Sequence, residues 1–218
     1  MDQEEKELEE LEKRVQMMED IQEIEDLQRK YGYYFETQRL QDIVDLFSDE
    51  HTESVEITDH GLFKGKEGVK RFFLGWLGGN RPSQLQQNIP PATGGIVCIF
   101  QWQGVISISP DGRTAKGRWN CFDLEARPWA GVMRHYWLHG YYENEYIKEN
   151  GKWYFKKLHW NNTFWTPYED GWLKTPLLGN MNEHPTIKAD APPTAFHPYP
   201  SGYHLPYSFK HPVTGKEQ

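Results

Sequence analysis

Only two cysteines, Cys98 and Cys121, occur in the 218 residues, too few for a disulfide framework or a cysteine-built zinc site. No apolar run approaches the ~20 residues that a membrane helix needs. The Glu- and Lys-rich start carries no apolar signal core, so a soluble, cytoplasmic protein is expected. Positive charge is also scarce. Lys and Arg number 24 against 32 Asp and Glu, a net charge of −8. That surplus sits in residues 1–29, with twelve acidic and four basic residues, and the rest of the chain balances. A neutral body behind an acidic helix excludes the clustered positive surface that nucleic acid or an anionic membrane requires. Gly-x-Gly-x-x-Gly, phosphate-loop and Gly-x-Ser-x-Gly patterns are missing too, so nucleotide cofactors and serine hydrolysis have no support. No cofactor is expected.

Aromatic residues are plentiful: 9 Trp, 12 Tyr and 11 Phe make up 15% of the chain. Leu8, Leu11, Val15, Met18, Ile21, Ile24, Leu27, Tyr31 and Tyr34 recur at spacings of three and four, one face of a long amphipathic helix ending near Glu36. Leu40 to Phe47 and Lys66 to Leu77 repeat the helical pattern, and Glu53 to Thr58 reads as a strand before a turn at Asp59-His60-Gly61. Asn80 to Gly95 reads as a loop. Four long alternating segments follow: Val97 to Ser109, Thr114 to Glu125, Val132 to Lys148, and Lys152 to Trp165. Pro110-Asp111-Gly112 and Asn150-Gly151 supply hairpin turns between them.

From Pro167 onward lie nine of the fourteen prolines and four of the nine histidines (His184, His197, His204, His211), without periodicity. This predicts an extended tail that covers the domain's open end or reaches a neighbouring subunit. The expected layout is an N-terminal helical extension over 1–19, an α+β domain over 20–166, and a Pro/His-rich extension over 167–218. The first helix exceeds what one domain needs, which predicts a homodimer or homotrimer.

Five strings then carry a resemblance. They are Tyr31-Gly-Tyr-Tyr-Phe-Glu36, Leu62-Phe-Lys-Gly-Lys-Glu-Gly-Val69, Asp111-Gly-Arg-Thr-Ala-Lys-Gly-Arg-Trp119, Gly140-Tyr-Tyr-Glu-Asn-Glu-Tyr146 and Asn150-Gly-Lys-Trp153. In order and spacing they resemble the SnoaL-like branch of the nuclear-transport-factor-like superfamily. The resemblance implies an α+β fold, a cone-shaped curved antiparallel sheet wrapped around N-terminal helices. The Tyr- and Trp-rich sheet and the Pro/His tail are most similar to the sphingomonad diarylpropane γ-formaldehyde lyases. The implied activity is a cofactor-independent lyase acting on a phenolic, lignin-derived diarylpropane diol. The alternatives are a dehydratase or isomerase of another aromatic alcohol, and a non-catalytic binding module.

In that family the Gly-x-Tyr positions of the third long strand face the interior of the cone. Carried over, Tyr142, Asn144 and Tyr146 face in, with Trp119, Cys121, Asp123 and Glu125 on the strand before, and Trp153, Phe155, Lys157, His159 and Asn161 on the last. His159 is then the expected general base, oriented by Asp123; the structural alternatives are a core histidine and an ion-paired aspartate. Tyr31 and Glu36 match a functional tyrosine and carboxylate of bile-acid-dehydratase-like relatives. Tyr34, Gln101, Trp119, Tyr142, Asn144 and Asn161 complete the expected binding set for a small aromatic substrate. One departure stands out: dehydratases of the family carry a histidine on the first strand of this sheet, and Val97 to Gln103 has none. His135-x-x-x-His139 is no metal pair on a strand, where four residues span ~13 Å.

Overall fold

A computed structural model describes residues 2–58, 60–79, 94–129, 132–177, 186–194 and 197–217. Residues 80–93 of the expected loop over 80–95, and His184, lie outside these.

Helix α1 spans Gln3–Glu36. Asp2 caps it by accepting the Glu5 amide at 2.8 Å while Glu5 returns the bond to the Asp2 amide, also at 2.8 Å. Burial begins only at Asp20; residues 3–19 are exposed throughout. There Asp20 accepts Lys148 Nζ at 2.5 Å and Trp153 Nε1 at 3.0 Å, which fastens the helix to the sheet. From that point Ile24, Leu27 and Tyr31 face the core. Helix α2 (Leu40–Asp45) packs Ile43 and Val44 beneath it. Two short strands follow, β1 (Ser54–Ile57) and β2 (Gly61–Lys64), then α3 (Gly65–Lys70), which widens into a π-helical stretch over Arg71–Leu77. The wide turn shows in the Gly78 amide, which donates to Phe73 O, five residues back, at 2.9 Å. Strand β2 is too short for alternation to reveal it.

The long strands are β3 (Ile96–Ile108), β4 (Thr114–Trp129), β5 (Val132–Glu149) and β6 (Lys152–Pro167), followed by a single helical turn, α4 (Gly171–Lys174). Asn150 and Gly151 both adopt positive φ (49° and 78°), as a two-residue hairpin demands. The six strands form one curved, unclosed sheet in the order β2-β1-β6-β5-β4-β3, so the fold is the expected α+β cone. Every neighbouring pair is antiparallel except β1 and β6. Helix α1 lies across the concave face, between β3 and β6.

Three irregularities bend the sheet and decide which side chains face inward. In β3 the register shifts between Trp102 and Val105, where Gln103 takes φ 53°. The Trp119 ring fills the resulting space, and a Cβ on Gly104 would lie 2.2 Å from it. In β6 Lys156 is an extra residue between the pairs Tyr146–Phe155 and Glu145–Lys157. Thr163 is another, between Gly140–Asn162 and His139–Phe164. Each extra residue reverses the alternation beyond it.

The described parts of the tail lie along the sheet edge and its outer face. Residues 186–194 run along β2: Leu62 N donates to Ala191 O at 2.9 Å, and Asp190 accepts from Lys64 N at 2.7 Å and Arg71 Nη2 at 2.5 Å. Further on, Arg118 donates to Leu205 O and Pro206 O on the convex face. Among the described residues the tail therefore covers an edge and the outer face, and the expected cover over the cone's opening is not found there.

Candidate functional site

Between the concave face, α1 and the π-helical stretch lies a cavity of about 290 Å³. Tyr31 and Phe35 reach it from α1, Ile57 and His60 from β1 and its turn, and Phe72 and Trp76 from the π-helix. Asp123, Glu125 and Arg127 enter from β4, Leu138 and Tyr142 from β5, and Trp160, Asn162 and Trp165 from β6. Apolar walls around a few converging polar groups are what a small-molecule site requires.

Asp123 is the chemical centre. Its side chain is buried, and the Cys121 thiol donates to Oδ1 at 3.0 Å. Burial raises its pKa to about 8; the Cys121 bond works against the shift, while Glu125 and Glu36 add to it. The carboxyl is thus mostly protonated at neutral pH. Beside it, Tyr142 Oη donates to Tyr31 Oη at 3.5 Å, and burial holds both phenols well above their ordinary pKa, so they are neutral. The His60 ring sits 4.8 Å from the Trp76 ring and 5.8 Å from that of Phe72.

Of the ten residues expected to form the site, Tyr31, Asp123 and Tyr142 line this cavity. His159 and Asn161 do not, and the reason is the Lys156 bulge. Beyond it Trp160 pairs with Tyr142 on the inner face, while His159 and Asn161 turn outward with Tyr141. His159 lies instead opposite Glu56, its Nε2 3.4 Å from Oε1. Burial lowers its pKa to about 4, opposed by Glu56 and reinforced by Lys157. Glu56 also accepts the amide and hydroxyl of Thr194 from the tail. The expected Asp123–His159 pairing is therefore corrected: the two side chains stand on opposite faces of the sheet. Lys157 also turns outward, paired with Glu145.

The remaining five hold the structure around the site. Glu36 accepts the Ile99 amide at 2.7 Å and ties α1 to β3. Gln101 accepts from Gln28 Nε2. Asn144 donates to Gln28 Oε1 at 2.9 Å and accepts the His159 amide at 3.1 Å. Trp119 donates to Tyr146 Oη at 2.9 Å. Tyr34 lies under the Arg39 guanidinium, 5.1 Å from its ring centre. His60, Arg127, Asn162, Trp160, Trp165 and Trp76 were not singled out from the sequence. Register would have revealed Asn162 and Trp160, and the turn after β1 marks His60 only by position.

The chain belongs to the SnoaL-like domain family, whose model matches residues 16–159. Among solved structures it is similar to a scytalone-dehydratase-like protein of Novosphingobium aromaticivorans DSM 12444, at TM-score 0.55 and 17% identity over 71% of this chain and 91% of that one. It is also similar to a type 2 LinA hexachlorocyclohexane dehydrochlorinase, at TM-score 0.54 and 15% identity over 79% and 98%. The type 3 LinA enzyme of Novosphingobium barchaimii LL02 gives TM-score 0.55 and 13% identity over 79% and 99%. At these identities the likeness is one of fold. No curated protein matches the chain.

Proposed function

We propose that this protein is a cofactor-independent lyase of phenolic diarylpropane diols, with Asp123 as its proton carrier. The observation that carries the reading is a buried, neutral carboxyl in an aromatic-walled cavity. Such an acid can protonate a benzylic hydroxyl, which leaves as water and yields a quinone-methide-like species. The carboxylate so formed takes the proton of the terminal hydroxyl. The adjacent carbon–carbon bond breaks, formaldehyde departs, and its bonding electrons complete the stilbene double bond. The balance closes: one diol gives one stilbene, one water and one formaldehyde, and Asp123 ends protonated as it began. Tyr31, whose oxygen already accepts from Tyr142, keeps its own proton to hold the departing oxygen. Trp160, Trp165 and Trp76 are the stacking walls.

A second reading, dehydration of a smaller aromatic alcohol, draws on the volume. About 290 Å³ lies at the lower end of ligand sites and suits one ring with its side chain better than two. Asp123 would then protonate the hydroxyl and recover a proton from the neighbouring carbon. The names of the similar structures, dehydratase and dehydrochlorinase, are those of eliminations, which both readings share. Incubation of the purified protein with a phenolic diarylpropane diol separates them by mass. Formaldehyde with stilbene supports deformylation, loss of water alone supports dehydration, and unchanged diol removes the first reading.

A further inference from the structure

Asp123, Glu125 and Arg127 alternate along β4, so all three project from the same inner face, and all three line the cavity. Two of them have no part in the proton cycle above. Arg127 is held flat: its guanidinium lies 4.3 Å from the centre of the Trp165 ring and 5.5 Å from that of Tyr136. Its Nε stands 3.1 Å from Glu125 Oε2, yet this buried donor makes no hydrogen bond among the described residues. A stacked cation and a carboxylate thus share one end of an aromatic-walled cavity. The two charges compensate each other, and both line the cavity, where a polar group of a ligand can reach them.

We infer that Glu125 and Arg127 are the recognition site for the phenolic hydroxyl of the substrate. This rests on the reading of Asp123 above. Successive inward positions on a strand lie about 6.7 Å apart, and the oxygens of a phenol and of a hydroxyl on its para carbon substituent are separated by about the same distance. A ring whose benzylic hydroxyl meets Asp123 therefore brings its phenolic oxygen to Glu125, with Arg127 just beyond. The pair offers both complements a phenol needs: Glu125 accepts the O–H, and Arg127 donates N–H to the oxygen.

The placement also does chemistry. When the benzylic C–O bond breaks with the Asp123 proton, the ring supplies the electron pair, and the phenolic O–H proton passes to Glu125. A neutral quinone methide and water result. When the carbon–carbon bond later breaks, its electrons return to the ring and the phenolic oxygen recovers its proton from Glu125. Arg127 stabilises the phenolate character that develops between these steps. The site accordingly selects phenols free at the para oxygen and rejects their methyl ethers.

Binding of 4-nitrophenol tests this without turnover, because its ionised form absorbs at a longer wavelength. At a pH where the free phenol is mostly neutral, the full-length protein should bind it with the phenolate band present. A nearby cation shifts such an ionisation by about tenfold or more. Arg127→Met keeps the stacked stem but should lose the band, and Glu125→Gln, without the competing negative charge, should strengthen it. 4-Nitroanisole should bind at least about tenfold more weakly, since the site's polar groups would be left unpaired. Absent binding, equal spectra in wild type and Arg127→Met, or equal binding of the anisole would each overturn the proposal. Asp123→Asn should leave the phenolate band in place. Failure of the lyase reading and failure of this one are therefore separable.

Discussion

Asp123 makes two measurable demands on the molecule. As the acid of the first step it must be protonated, so turnover should hold below pH about 8 and fall above it. Asp123→Asn should lower kcat by about 10²–10⁴-fold, the usual worth of a positioned proton transfer. Stability should also fall as pH rises, but over a lower range. The unfolded chain releases this proton near the ordinary aspartate value of 3.8, whereas the folded chain keeps it to about 8. The folded state binds more protons within that window, so stability drains as pH rises through it. Denaturant titrations should therefore show Asp123→Asn more stable than wild type at pH 8, with the gap closing toward pH 4. His60 also lines the cavity. His60→Gln tests whether the imidazole shares the role of Asp123: a kcat loss under about tenfold agrees with Asp123 as the acid of the first step, and a loss matching that of Asp123→Asn demands that His60 take part.

Among the elements, β6 decides what the site contains. Its extra residue Lys156 turns Trp160 and Asn162 inward and His159 outward, and Thr163 then turns Trp165 inward. The inward strand faces of β4 and β5 were legible in the sequence because those strands alternate without a break from Trp119 to Glu125 and from Tyr136 to Tyr146. The helix to Glu36 and both hairpin turns were legible for the same reason, since period and turn chemistry are local; the cone, and which strand face lines it, came from the family resemblance. A bulge is not local. Lys156 and Thr163 are ordinary strand residues, and only the partner strand reveals that each has no opposite number. Gly140 reports how tight this region is, since a Cβ there would lie 2.2 Å from Asn161 O and 2.8 Å from the Trp160 ring. Gly140→Ala should cost about 3 kcal/mol in denaturant unfolding, the upper range for forcing atoms into a packed site. A cost near zero would mean that β6 slips easily, and that the cavity's lining is not fixed.

For the molecule as a whole, the acidic extension and the tail do different work. Residues 3–19 expose Leu8, Leu11, Val15 and Met18 in one stripe, which we expect a second copy to cover. Gel filtration with light scattering should find a dimer or trimer, and removal of residues 1–19 should lower that state while leaving the fold intact. The tail supports the sheet from outside, capping Glu56 through Thr194 and the edge of β2 through Asp190. Truncation at residue 186 should therefore lower the unfolding midpoint. The chemistry stays within the cone and begins at Asp123, whose protonation is the premise of the first step. Infrared difference spectra of wild type against Asp123→Asn read that state directly. The account predicts the carbonyl band of a protonated carboxyl at neutral pH, giving way to carboxylate near pH 8. A carboxylate band already present at neutral pH would contradict it.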